Sequence, residues 1–203
     1  MKTAIRPLSL LTAALATAIF SSMPASAAVF NYSVTLNGPS EIPVNASPGT
    51  GLGTVSYDNV SHLLSLNVSF SGLLGNTTAS HIHAPTASPF SGTAGVATTT
   101  PTFAGFPLGV TGGAYLNVLD LTQASSYNPS YVTANGGTTA GAEAALTAAM
   151  AAGKSYWNIH STSFPGGEIR GFLVAVPEPA SAALIVLGAV CMGIHAKRKN
   201  RRL

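Results

Sequence analysis

Two short runs hold the side chains best suited to chemistry: Ala79-Ser80-His81-Ile82-His83-Ala84-Pro85 and Ser155-Tyr156-Trp157-Asn158-Ile159-His160. The chain has five histidines, and three of them fall in these runs. A neutral imidazole is a good ligand for copper or zinc, and an H-x-H pair joined by one distant histidine makes a three-nitrogen set. On a strand, residues two apart share a face. His81 and His83 then point together, away from Ile82. His160 points with Tyr156 and Asn158, away from Trp157 and Ile159. If Ile82, Trp157 and Ile159 fill a core, the three histidines lie on the outer face, and adjacent pairing of the two strands brings them within ligand distance. The alternative is structural: the imidazoles hydrogen-bond to backbone, or to Asn158 and Tyr156, and fix strand register. No Asp, Glu or Cys lies near His81 and His83 in sequence to complete a closed four-ligand zinc site. His62 shares a face with Leu64 and Leu66 at the inner edge of a strand and does not join easily.

Other chemistry is sparse. Glu168 and Arg170 share a strand face, which reads as an anion or partner contact, or as an exposed cross-strand ion pair worth under ~1 kcal/mol. The chain lacks a nucleophile elbow of the G-x-S-x-G type and a phosphate-binding loop. The glycine runs Pro48-Gly49-Thr50-Gly51-Leu52-Gly53 and Thr111-Gly112-Gly113 read as β turns.

The elements that would carry these residues are mostly strands. Phe30, Tyr32, Val34 and Leu36 alternate with Asn31, Ser33 and Thr35; Leu64, Leu66, Val68 and Phe70 alternate with Ser65, Asn67 and Ser69. Similar patterns recur around Tyr57, Tyr115, Trp157 and Ile169, with Gly and Pro clusters between them. Seven or eight short strands with one polar face predict a mainly β fold, an antiparallel sandwich or barrel. Helical connections are predicted just before the Trp157 strand: Asn128-Pro129 opens one, and a second runs from an N-cap at Thr139 through an alanine-rich stretch to Gly153.

The two ends differ in kind. Residues 1–27 have Lys2 and Arg6, an apolar run from Leu8 to Phe20, and Ala25-Ser26-Ala27 as a cleavage signal, the layout of a secretory signal peptide. Signal peptidase is expected to cut after Ala27, and the chain is expected to be exported. Residues 176–203 have a rigid Pro-Glu-Pro, an apolar segment from Ala180 to Ala196 that just reaches the length of a transmembrane helix, and five basic residues behind it. Between the ends, residues 28–175 contain two basic residues, Lys154 and Arg170, and five acidic ones, Glu41, Asp58, Asp120, Glu143 and Glu168, a net charge of −3. The basic balance of the whole chain therefore belongs to its ends, and a nucleic-acid partner is not supported. Cys191, the single cysteine, lies in the tail, so this region has no disulfide and relies on its core. Its length suggests one domain.

The tail closely resembles the PEP-CTERM sorting signal of Gram-negative bacteria, in Pro177-Glu178-Pro179, the apolar helix and the basic end. That resemblance implies recognition and removal by an exosortase, a membrane protease, with transient membrane anchoring and delivery to the cell surface or extracellular matrix. It also implies an exopolysaccharide or other envelope component as partner. The middle region resembles the CHRD domain, first described in chordin, through Glu41-Ile42-Pro43, the Gly49 to Gly53 segment, His81-Ile82-His83, Asn158-Ile159-His160 and Gly167-Glu168-Ile169-Arg170-Gly171. This resemblance implies a Greek-key-like β fold with some similarity to the Cu,Zn superoxide dismutase sandwich. The dismutase pattern of a bridging histidine and an acidic zinc pocket is absent. The expected role is a non-catalytic surface or biofilm-matrix protein. The alternative is copper or zinc binding at His81, His83 and His160, with superoxide-dismutase-like redox activity as its extension.

Overall fold

The computed structural model describes residues 28–177. The strands are β1 (Val29–Asn37), β2 (Thr50–Asp58), β3 (Leu63–Ser71), β4 (Thr77–His83), β5 (Gly113–Asp120), β6 (Tyr156–Ser161), β7 (Ile169–Phe172) and β8 (Val174–Ala175). Two helices, α1 (Pro129–Ala134) and α2 (Thr139–Ala151), precede β6. The mainly β, antiparallel expectation holds, but not as two stacked sheets. All strands join one curled sheet in the order β4-β6-β7-β1-β2-β3-β5, with β8 beside β1.

Alternation places the core. Tyr32, Val34 and Leu36 of β1, Val55 and Tyr57 of β2, and Leu64, Leu66, Val68 and Phe70 of β3 turn to one side and are buried together. Phe30 departs from its predicted face: it is 45% exposed. It stands at the end of the sheet, where its ring stacks on Tyr57 with centroids 6.1 Å apart. Leu146 and Met150 of α2 join the same core.

A long connection, residues 84–112, replaces the second sheet. Its Phe103 is fully buried and lies edge-on to Trp157 of β6 and stacked on Tyr115 of β5, with centroids 5.7 and 5.8 Å away. One side chain thereby links strands near opposite edges of the sheet. The same connection hydrogen-bonds to edge strand β4 through Ala97 N to Ile82 O and Phe103 N to Ser80 O, which covers an edge that would otherwise be open to another chain.

The Gly49 to Gly53 run is not a simple turn. Gly51 and Gly53 lie inside β2, where a β-carbon on Gly53 would stand 2.6 Å from Asn67 O and 3.1 Å from Val34. Glycine is there to let the backbones and inner side chains approach closely. The helix signals are closer to expectation. Asn128 caps α1 by accepting from Ser130 N, and Pro129 takes its first position. The cap of α2 is Thr138, one residue before the predicted Thr139, and Gly153 follows the helix at a φ of +66°.

No helix among the described residues is long and apolar enough to cross a membrane. The predicted signal peptide (1–27), the apolar segment 180–196, and Glu178 and Pro179 of the sorting motif lie outside the described residues.

Candidate metal centre

β4 and β6 pair antiparallel, with Ala79 opposite His160, His81 opposite Asn158, Ile82 opposite Trp157 and His83 opposite Tyr156. Ile82, Trp157 and Ile159 are fully buried in the core. The histidines therefore take the other face, as predicted, and the register brings them together. Ring centroids are 5.8 Å apart for His81 and His83, 5.3 Å for His81 and His160, and 6.2 Å for His83 and His160. Ring nitrogens of the three lie within 4.8 Å of one another.

That face is not open to solvent. His81 and His83 are only 6% and 8% exposed, and His160 is half-buried. The connection 84–112 folds over the first two, and the β6–β7 turn covers the third. Each imidazole donates one N–H to a carbonyl of these covering segments. His81 Nε2 donates to Pro101 O at 2.5 Å, His83 Nδ1 to Ala94 O at 2.9 Å, and His160 Nδ1 to Pro165 O at 2.9 Å. A carbonyl only accepts, so each bonded nitrogen carries the hydrogen and the other keeps its lone pair. Those others, His81 Nδ1, His83 Nε2 and His160 Nε2, are buried and have no hydrogen-bond partner among the described residues.

Electrostatics keeps the rings neutral. Burial pushes all three imidazoles below the ordinary histidine value, His83 down to about 4. Tyr156 stacks flat on His83, with centroids 4.7 Å apart and planes 7° from parallel. The Arg170 guanidinium sits 4.7 Å from the centre of the Tyr156 ring. Behind it, Arg170 Nε lies 3.9 Å from a Glu41 carboxylate oxygen and donates to Ser40 O, and Nη1 donates to Gly92 O at 3.2 Å. Asn158 Nδ2 donates to Glu41 at 3.1 Å. Burial raises the Glu41 carboxyl to about 7, against the opposing pull of Arg170. Three neutral nitrogen donors with aligned tautomers and a packed supporting shell are a donor set suited to a transition-metal ion.

Two sequence expectations need correction. Glu168 and Arg170 are not an exposed ion pair: they are 0% and 3% exposed, and they serve separate networks. Glu168 accepts from Ser47 Oγ, Ser161 Oγ and the backbone N–H groups of Leu74 and Gly75. Burial alone would raise its carboxyl, but these hydrogen bonds together hold it below the usual value. His62 is not at the inner edge of a strand. It is a turn residue at a φ of 59°, and its Nδ1 lies 2.8 Å from Glu143 of α2, which also accepts from Tyr57 Oη at 2.6 Å.

Sequence reading missed the carbonyls of Ala94, Pro101 and Pro165, and the place of Glu41 behind Asn158. Backbone carbonyls carry no residue signature. The only signal was that the covering segments are rich in proline and glycine.

The family model described as CHRD domain matches residues 32–173, most of the chain. The chain belongs to the CHRD family. Neither the curated proteins nor the solved structures compared with it give a match. The CHRD match takes in all three histidines, Glu41, Asn158 and Arg170, so the donor set and its supporting shell belong to one domain.

Proposed function

We propose that this is an extracellular CHRD-domain protein that binds copper or zinc through His81, His83 and His160. The observation that carries the reading is that three imidazoles, each with a ring nitrogen within 4.8 Å of one on the others and each oriented by a backbone carbonyl, also hold a buried nitrogen with no hydrogen-bond partner among the described residues. Purely structural histidines would need only the carbonyl bonds, and would leave three buried acceptors unpaired at a cost of about 1–3 kcal/mol each. The role is binding rather than turnover: the nitrogens that would hold the ion are closed off from solvent. The test is metal retention. Protein loaded with copper or zinc and then desalted should keep about one ion per chain. A His83→Ala variant that retains as much as the unmodified protein would end the reading.

The two ends support a second, compatible reading of where this happens. Signal peptidase would remove residues 1–27 as the chain crosses the inner membrane. The Pro177-Glu178-Pro179 box, the apolar segment and the basic end would then hold the protein in the membrane until an exosortase-type protease acts on it. The mature CHRD domain would be delivered to the cell surface or an exopolysaccharide-rich matrix. Deleting Val176 to Leu203 and fractionating the cells tests this, since unchanged surface delivery would refute the sorting role.

A further inference from the structure

We infer that the ion this pocket is built for is monovalent copper, Cu(I), held by three neutral imidazoles with no water in its coordination sphere. The inference rests on the metal-binding reading and narrows it. Three observations select the ion.

The first is ligand number and charge. Among the described residues the cluster consists of three histidines, with no carboxylate or thiolate among its members. Each tautomer is set by a carbonyl, so the donor set is neutral. Zinc in a closed site takes four ligands, and in an open site three plus water. Divalent copper prefers a tetragonal set. Monovalent copper is satisfied by two or three donors.

The second is access. The lone-pair nitrogens are buried, with Ala94, Pro101 and Pro165 supplied by the segments that cover them. A divalent ion's added water would have to reach nitrogens that are themselves buried among the described residues.

The third is the surrounding charge. A cation, Arg170, stacks on the Tyr156 ring that itself stacks on His83. The Glu41 carboxyl accepts from Asn158 and lies 3.9 Å from Arg170, so it is already engaged. A divalent ion would stand uncompensated in this buried setting, and the solvation cost of burying charge rises steeply with its magnitude. A single positive charge is the smaller demand.

The experiment uses the full chain, titrated separately with Cu(I) under anaerobic conditions, with Cu(II) and with Zn(II), each against a chromophoric chelator of known affinity. The expected result is one Cu(I) per chain, retained in the presence of excess zinc, with an X-ray absorption spectrum of three-coordinate copper and nitrogen ligands only. His83→Ala should weaken Cu(I) binding on the order of 100-fold or more. His160→Ala, at the less buried ring, repeats the test if the first variant does not fold. Zinc or divalent copper bound as tightly as Cu(I) on the same histidines overturns this inference and leaves the metal-binding reading standing. Failure of all three ions to bind overturns both.

Discussion

His81 and His160 stand on neighbouring strands with ring centroids 5.3 Å apart and planes 73° from parallel, each anchored through its other nitrogen to a proline carbonyl. The two carbonyls come from different loops, one before β5 and one before β7. The geometry of the pair is therefore a property of the sheet and of its coverings together, and it can be tested from both sides.

Acid should destabilise the metal-free domain, with the sign set by the histidines. The unfolded chain binds protons near 6.5, while folded His83 does so only near 4, so stability is lost as pH falls from about 6.5 and levels off near 4. His83 alone accounts for up to about 3 kcal/mol, and His81 and His160 act in the same direction. Glu41 opposes them, because its carboxyl is raised to about 7 and favours the folded state as pH falls. Glu41→Gln should therefore steepen the loss of stability between pH 7 and 5. Urea unfolding at both values measures it, and a shallower slope in the variant would show that the signs are misassigned.

Replacing Glu168 with Gln should destabilise the fold by roughly 2–4 kcal/mol. The carboxylate receives four hydrogen bonds, from Ser47, Ser161, Leu74 and Gly75, and an amide turns one of its acceptors into a donor facing donors. Equilibrium denaturation decides it. A change under ~0.5 kcal/mol would show that Glu168 is not the tie joining these segments.

Gly53→Ala tests the reading of the glycine run. The added methyl would meet Asn67 O at 2.6 Å and Val68 at 3.2 Å, in the middle of the β1–β2–β3 pairing. Relieving the clash should cost about 1–3 kcal/mol, visible as a lowered Tm. An alanine tolerated without loss would return this segment to the status of an ordinary turn.

Trp157, the single tryptophan, donates its indole N–H to Ser80 Oγ at 2.7 Å, and Ser80 Oγ in turn donates to Asn158 O at 3.0 Å. Ser80→Ala should leave the buried indole N–H unpaired and cost about 1–3 kcal/mol. Tryptophan fluorescence during unfolding reads the stability, and the folded emission spectrum reads the changed environment. Neither should remain as in the unmodified protein.

Much of the fold was legible because strand alternation is local. The faces of Leu64, Leu66, Val68 and Phe70, and the opposition of Ile82 to its flanking histidines, follow from a period of two. Helix starts were legible for the same reason: Asn128 and Pro129 act on their immediate neighbours. What failed depended on distant partners. Phe30 follows the right period but lies at the end of the sheet. Glu168 and Arg170 look like exposed strand charges until Ser47, Glu41 and Gly92 are seen closing over them.

By itself the sequence carried the CHRD resemblance and a β pattern that places three histidines on one side of two strands. These are matters of residue type, order and period, which need no third dimension. Only tertiary structure decided that the strands form one curled sheet closed by residues 84–112, and that the histidine face is covered. The same packing pins one nitrogen of each ring and leaves the other buried with no hydrogen-bond partner among the described residues. Those outcomes depend on backbone carbonyls and on contacts between distant segments, and a carbonyl is the same in every residue.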